Sequence, residues 1–592
     1  MKLEIDGICS CPVEYIPVGC SGNGVYGAWS FAQVKKEKPE SRLPARSQSR
    51  AVSTSPIRLV LILVVPLLVA IWAIGLRQSS GPFWLGHNSD PSYAYLMNGL
   101  ALSQAQPTVH ADHPGATLHW FSAMLLYPIE FLAGEGDLVD DVLKQPETFL
   151  TWLHRGLIAL LVVTLVVGGF LVFRWTGDPV AVVLFQSGTL MSSNVRNVLS
   201  EMSPEPLLVI LAIWLAIFVF LQVSNAGKGS RAEPAWQYGL LIGLGLALKL
   251  NFAPLALLPL FMLSTFRRWM IYFGTSLLTF LLLVANPLTN SRGFLGFLVN
   301  NLLVREGYNR PLEEGRSYFG AMLDGIGFQV SEIGPTELPV ILLTAGFAAL
   351  GMVVLLQKKP VSLAVLKRPQ TRVWLGILVV LAAQILLVAN GPFGKPHYLV
   401  PALGLTGLMT CLSWSWLKTL LRQSGLSGVY GRITAGVGFV VLLVMTSYAV
   451  PGQLRQANLE ARAWSEAILF REESGLLDEP TLFHYRTSSQ EFALHFGNQW
   501  AGNRFSGRLQ KLYPYFLYFD IWHQRFEIGF GRPVNTLGAI LEDPIYVQGM
   551  KGSHLEAFFA EHDKGSVVIE TLFEGIKEQV LEIRPDPDHR SR

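Results

Sequence analysis

The chain has 592 residues, of which 51% are apolar and only 15% charged. A soluble domain carries about 25% charged residues, so the composition excludes an ordinary cytosolic enzyme and describes a polytopic membrane protein. A formal charge of +3 is too small to suggest nucleic acid as a partner, and four cysteines exclude a disulfide framework.

Residues 1–56 are polar. Lys35, Lys36, Lys38, Arg42, Arg46 and Arg50 stand among Ser, Pro and Gln, a composition that packs poorly, and the segment is expected to be a disordered cytoplasmic tail. Cys9, Cys11 and Cys20 lack a fourth ligand at finger-like spacing and read as unpaired thiols. Ile57–Leu76 is an apolar run of 20 residues, long enough to cross a bilayer rather than form the short core of a signal peptide. Further spans are expected near 152–173, 179–193, 205–223, 236–250, 252–264, 269–286, 337–356, 373–389, 398–416 and 433–450. His113–Leu132 reads either as a span or as an amphipathic helix at the interface. If it lies flat, the basic clusters Arg267/Arg268, Lys358/Lys359 and Lys418/Arg422/Arg432 all fall on the inner side, as the positive-inside rule requires.

The resulting expectation is an α-helical membrane module at 57–450 with about 11 transmembrane helices. Its N-terminus is inside, and a long first outer loop at about 77–151 carries two helices lying on the surface. The segment from Pro451 onward contains 15 Lys/Arg and 20 Asp/Glu and is expected to form a small extracytoplasmic α/β domain at 451–592. There TLFHY, PIYVQG and SVVIETL read as strands, and Gln453–Arg471 as an entry helix. No phosphate-binding glycine fingerprint, nucleophile elbow or P-loop occurs.

In this topology most polar residues with chemical potential gather on the outer face. The first loop reads GHNSDPSYAYLMNGLALSQAQPTVHADHPGATLHWFSAML; SNVRNVLSEMSP precedes the span opened by Glu205-Pro206; Lys249 interrupts GLLIGLGLALKLNFAPLALLPL; and GKPHYLVPALG precedes a late span. An acidic residue soon after the first span, a Tyr-rich helix, His-Pro-Gly opening the next helix and an outer C-terminal domain resemble the GT-C glycosyltransferases. Within that superfamily, the chain is most similar to the aminoarabinose transferases and protein O-mannosyltransferases. The resemblance covers about residues 57–450 in order and spacing. It implies an integral-membrane enzyme of the bacterial inner membrane that moves a sugar from a polyprenyl-phosphate carrier to a lipid, glycan or protein acceptor.

The resemblance also implies residue roles. Asp90 falls where such enzymes carry the loop carboxylate that takes or orients the acceptor proton; Asp90-Pro91 reads equally as a helix N-cap followed by Pro at N1. The family often has two adjacent acidic residues here, whereas this chain has one. Glu201 and Glu205 share a helix face if the helix starts early and suit acceptor or metal contact, or simply the helix dipole. Lys249 is the strongest cation for the carrier phosphate, because intramembrane charges usually mark function, with snorkelling as the alternative. Arg196, Lys395 and His397 fall on the same side, as do Arg305, Arg310 and Arg316. His110, Asp112 and His113 form an H-x-D-H cluster that suits a divalent metal or an ordinary surface turn; no other cofactor is expected. A secondary transporter or flippase of lipid-linked sugars, or a non-catalytic polysaccharide-assembly partner, is the rival reading.

Overall fold

The computed structural model describes residues 56–86, 89–110, 114–225, 233–286, 318–329, 369–389, 396–423, 430–484, 486–520, 525–534, 544–551 and 567–585, together with 296 and 331. The first apolar run forms α1 (Pro56–Ser79). The long loop after it contains α2 (Ser89–Ser103), α3 (Ala116–Ala133) and α4 (Leu138–Lys144). The bundle continues with α5 (Pro146–Thr176), α6 (Pro179–Gln186), α7 (Gly188–Met191), α8 (Ser193–Val198) and α9 (Pro204–Asn225). Then come α10 (Ala235–Leu248), a 3-10 helix (Leu250–Phe261) and α11 (Phe266–Val284). Among the described residues, five helices are long and apolar enough to cross a membrane: 60–79, 146–176, 204–225, 369–389 and 397–419. The expected span 337–356 lies outside the described residues.

One expected span is broken instead of continuous, and an expected pair is shorter than a full crossing. At 179–193 the chain forms α6, α7 and α8. The breaks follow from polar and small residues inside the apolar run. Gln186 Nε2 donates to the carbonyls of Ile62 (2.9 Å) and Leu165 (3.0 Å), and Ser192 Oγ caps α8 by accepting from Val195 N (3.1 Å). The pair expected at 236–250 and 252–264 forms a hairpin instead. α10 has 14 residues, about 21 Å at 1.5 Å per residue, short of the ~30 Å hydrocarbon core. Pro254 and Pro259 remove backbone donors and hold the return arm in a 3-10 form. Glu233 joins both ends of the hairpin at its base, accepting from Ser264 N at 3.0 Å and Ser264 Oγ at 2.7 Å. Lys249 stands at its tip.

The first loop docks on that tip. Gly115 N donates to Leu248 O (3.0 Å), and Thr117 Oγ1 to Leu244 O (2.7 Å). Gly115 has φ +58° with the Tyr95 and His119 rings against its open side, so only glycine fits. α2 differs from the surface helix expected: Tyr93, Tyr95, Leu96, Met97, Leu100 and Ala101 are all fully buried.

The cover over α2 comes from the C-terminal region. A helix of 44 residues, Tyr430–Glu473, carries the chain without a break across 450 and 451 into a seven-stranded mixed sheet of order β4-β3-β2-β1-β5-β7-β6. Its strands are β1 (Thr481–Phe483), β2 (Leu517–Asp520), β3 (Arg525–Ile528), β4 (Arg532–Val534), β5 (Ile545–Met550), β6 (Val567–Glu574) and β7 (Glu578–Pro585). β1 runs parallel to β2 and β5, and the remaining pairs are antiparallel. Side chains alternate between faces: Leu482, Phe519, Val547 and Ile583 build one apolar cluster, while Phe483 and Tyr518 join the core beneath the helix Gln490–Trp500. That helix packs directly on α2. Gly497 lies so close to Tyr93 that a Cβ would stand 2.7 Å from the Tyr93 carbonyl oxygen.

Further contacts fasten sheet domain to first loop. Asn98 Nδ2 donates to Trp500 O (3.1 Å), Tyr513 OH to Leu143 O (2.9 Å), and Arg508 bridges Asp137 (2.7 Å) and Asp140 (2.6 Å). Both elements therefore occupy one face of the bundle. Cysteines placed at Glu135 and Tyr515, which is 85% exposed, should react with an impermeant thiol reagent from the same side of sealed vesicles. Labelling of the two from opposite sides would overturn this arrangement.

Candidate active site

α9 begins with Pro204-Glu205-Pro206, two prolines in the first turn where missing donors cost nothing. This fixes the Glu205 side chain at the loop face of the bundle, opposite the tip of the α10 hairpin. Lys249 Nζ donates to Glu205 Oε1 at 2.5 Å, with both side chains buried at 6% and 5% exposure. Tyr398 supplies a second contact, its ring centroid 4.8 Å from Lys249 Nζ. Burial does not leave the ammonium to snorkel: its partners are a carboxylate and an aromatic face, which offset the desolvation cost. Tyr398 is held through its carbonyl, which accepts from Gln384 Nε2 (2.7 Å) and Asn251 Nδ2 (3.4 Å). His397, beside it, borders Glu205 and meets the Tyr398 ring edge-on at 4.5 Å.

Behind Glu205 stands a second carboxylate. Glu201 is partly buried in the loop before α9; burial and the neighbouring Glu205 charge push its pKa up to about 7. Arg77, at the end of α1, braces this loop by donating to Ser200 O (3.2 Å) and Gly81 O, with its guanidinium 4.2 Å from the Phe83 ring. Glu147 at the start of α5 accepts from Phe83 N (2.8 Å) and Tyr93 OH (2.9 Å), locking the first loop to the bundle.

The structure thus brings Glu201, Glu205, Lys249 and His397 together. Arg196 is buried on α8, where its Nε donates to Gln453 Oε1 (2.8 Å) and Gln453 donates in turn to Asn197 (2.9 Å). Asp90 is exposed with extended backbone (φ −100°, ψ 113°) just before the regular part of α2, the backbone expected of an N-cap. Lys395, Asp112, His113, Arg305, Arg310 and Arg316 lie outside the described residues. His110 is buried rather than in an open turn. Its ring meets those of Tyr95 (5.3 Å), His119 (5.9 Å) and Trp500 (4.9 Å), and burial, aided by the Lys249 charge, lowers its pKa to about 4. Among the described residues no three His, Cys, Asp or Glu converge to hold a metal.

Sequence reasoning missed Arg77 and Tyr398. Arg77 reads as an interfacial charge ending an apolar run, and only GKPHYLVPALG hinted at Tyr398. The link from sheet to loop was also invisible. Gly86 N donates to Ser488 Oγ (3.0 Å), and Ser488 N to Glu578 Oε1 (2.6 Å). Glu578, pushed up to about 7 by burial, also accepts from Gln548 Nε2 (2.7 Å), and Gln548 Oε1 from Arg471 (2.9 Å).

No family model matches the chain, and no curated protein sequence matches it. Among solved structures it is similar to ArnT from Cupriavidus metallidurans in the apo state, with TM-score 0.52 and 12% identity over 88% of this chain and 97% of that one. ArnT bound to undecaprenyl phosphate aligns with TM-score 0.48 at 12% identity over the same shares. The Archaeoglobus fulgidus oligosaccharyltransferase in the apo form aligns with TM-score 0.35 at 13% identity, covering 72% of this chain and 62% of that one. The apo ArnT match establishes a shared fold: an ArnT-like helical bundle with a C-terminal sheet domain.

The ion pair makes a direct prediction. Lys249→Met or Glu205→Gln alone should destabilise the detergent-solubilised protein by about 3 kcal/mol, the cost of stranding one buried charge. The double variant should lose clearly less than the sum, as read by denaturation. Strictly additive losses would mean that the two charges do not depend on each other.

Proposed function

We propose that this protein is an integral-membrane glycosyltransferase that moves a sugar from a polyprenyl-phosphate carrier to a lipid, glycan or protein acceptor at the face bearing the first loop. The single observation that carries this reading is the buried ammonium of Lys249 at the tip of a helical hairpin. It is set among Glu205, His397 and Tyr398 beneath a loop braced by Arg77. A fixed cation at the mouth of a bundle, reachable by a lipid whose head group projects from the bilayer, suits a phosphodiester that must be held while its sugar is removed. The fold shared with ArnT supports the same class of enzyme.

In the transfer, the acceptor hydroxyl oxygen forms a bond to the anomeric carbon. The bond from that carbon to the phosphate oxygen breaks, and its electron pair leaves on the carrier phosphate. Lys249 stabilises the charge that develops there, with Arg196, Lys395 and His397 as further candidates for the anion. Asp90, exposed at the start of α2, is assigned the acceptor proton; Glu201 and Glu205 are the remaining acidic candidates near the reacting centre. A transporter or flippase would instead need its charges at the bilayer midplane between repeats, whereas Lys249, Glu205, Glu201 and Arg77 gather at one end of the bundle.

Two variants test the chemistry. Asp90→Asn keeps a capping side chain but removes the basic carboxylate, and transfer should fall about 100-fold or more with melting nearly unchanged. Near-normal transfer would leave Asp90 as a cap only. At Lys249, KM for the carrier-linked sugar should rise in the order Arg, Gln, Met, because each step weakens the phosphate contact. A Lys249→Met protein with normal KM would remove this residue from the site.

A further inference from the structure

A carbonyl in a 3-10 helix accepts from the N–H three residues ahead, and a proline at that position has none to give. Around the hairpin Asn251, Ala256 and Tyr398 lose that bond, to Pro254, Pro259 and Pro401. Side chains of neighbouring helices supply what the prolines withhold. Tyr272 OH donates to Ala256 O at 2.8 Å. The other two carbonyls share one donor group, the Gln384 amide on the helix Pro369–Ala389, whose Nε2 lies 3.0 Å from Asn251 O and 2.7 Å from Tyr398 O.

An amide nitrogen carries two hydrogens, and here each goes to a different segment of the site. Asn251 lies two residues beyond Lys249 at the hairpin tip. Tyr398 presents its ring to the Lys249 ammonium at 4.8 Å. Gln384 is completely buried, and its Oε1 has no hydrogen-bond partner. Burying an amide with its oxygen unmet costs free energy, so an apolar side chain would serve better if filling space were the task. Asn251 Nδ2, 3.4 Å from Tyr398 O, adds a direct link between the same two segments.

We propose that Gln384 is a positioning residue for the carrier-phosphate cation. By giving one hydrogen to each of these two carbonyls, it fixes the hairpin tip against the Tyr398 segment and so holds the Lys249 ammonium where a phosphate can meet it. This deepens the reading of Lys249 as that cation and rests on it. An ammonium is a point charge on a flexible stem, so its direction is set by what surrounds it. Tyr272 is the internal comparison. It mends the same kind of defect at Ala256, seven residues from Lys249 and about 14 Å along a 3-10 helix that rises roughly 2 Å per residue. Its bond secures the hairpin without bearing on the ammonium.

The test is binding of undecaprenyl phosphate in detergent micelles to the full-length protein, at a temperature where each variant is folded. Gln384→Leu should raise the dissociation constant about tenfold, the scale on which losing a group that orients a ligand-binding side chain is felt. Pro401→Ala returns a backbone N–H to the Tyr398 carbonyl and should recover much of that affinity; where Gln384 is kept, it should change binding little. Tyr272→Phe should lower the melting temperature and leave binding unchanged. Gln384→Leu should add nothing once Lys249→Met is present. If Lys249→Met weakens binding but Gln384→Leu does not, the positioning role is wrong and the phosphate reading stands. If Lys249→Met binds like the parent, both fall. A Gln384→Leu loss that persists undiminished without Lys249, that Tyr272→Phe reproduces, or that Pro401→Ala leaves untouched would also overturn the role. Where Gln384→Leu does not fold, Gln384→Met, unbranched and without a donor, carries the same comparisons.

Discussion

An ammonium buried to about one-twentieth of its surface must have a carboxylate within reach, and that requirement organises the loop face of this bundle. It fixes where α9 begins, because Glu205 has to meet Lys249 from the first turn. It also fixes where the α10 hairpin turns back, because a tip one residue longer would swing the ammonium off the pair. Tyr398, itself pinned by Gln384 and Asn251, closes the far side. The first loop then docks onto the same tip through Gly115. Four separate stretches of chain are aligned by one pair of opposite charges.

The sheet domain acts on this arrangement from above. Among its described residues none adds a charge to the Lys249 pair; instead the domain presses the helix Gln490–Trp500 onto α2 and ties Gly86, four residues before Asp90, to Ser488 and thence to the buried Glu578–Gln548–Arg471 chain. The exposed loop carboxylate thus grows from a segment whose backbone is anchored on both sides, by Glu147 within the bundle and by the sheet outside it. On the opposite side of the bundle, Asp178 performs a comparable fastening, accepting from Lys418 at 2.5 Å and Trp414 at 2.9 Å.

How much of this could be read in the sequence depended on range. Apolar length identified α1, α5, α9 and the helix Pro369–Ala389, because one-dimensional hydropathy is what a bilayer selects. A lysine inside an apolar run stood out for the same reason, and so did Glu205 by opening a span. The breaks did not: Gln186 is a single residue whose effect depends on carbonyls contributed by other helices, and Pro254 is a single residue whose missing donor leaves no mark on a hydropathy profile. In the sheet domain, the three stretches rich in β-branched residues were legible, whereas β2, β3, β4 and β7 are short or interrupted by charge, and the parallel pairing of β1 with β2 joins residues more than thirty positions apart. The burial of α2 was invisible because its cover lies at the far end of the chain.

That separation has a consequence in time. Gly86 and its partner Ser488 are 402 positions apart, as are Asn98 and Trp500. At about 5–20 residues per second, the ribosome needs roughly 20–80 s to supply the second half of these contacts. Throughout that interval α2, with Tyr93, Tyr95 and Met97 destined for complete burial, waits on the membrane surface without its lid. A chain that terminates early leaves this patch open for good. Completion of the sheet domain therefore removes an aromatic surface that stays open in any chain terminated before residue 500.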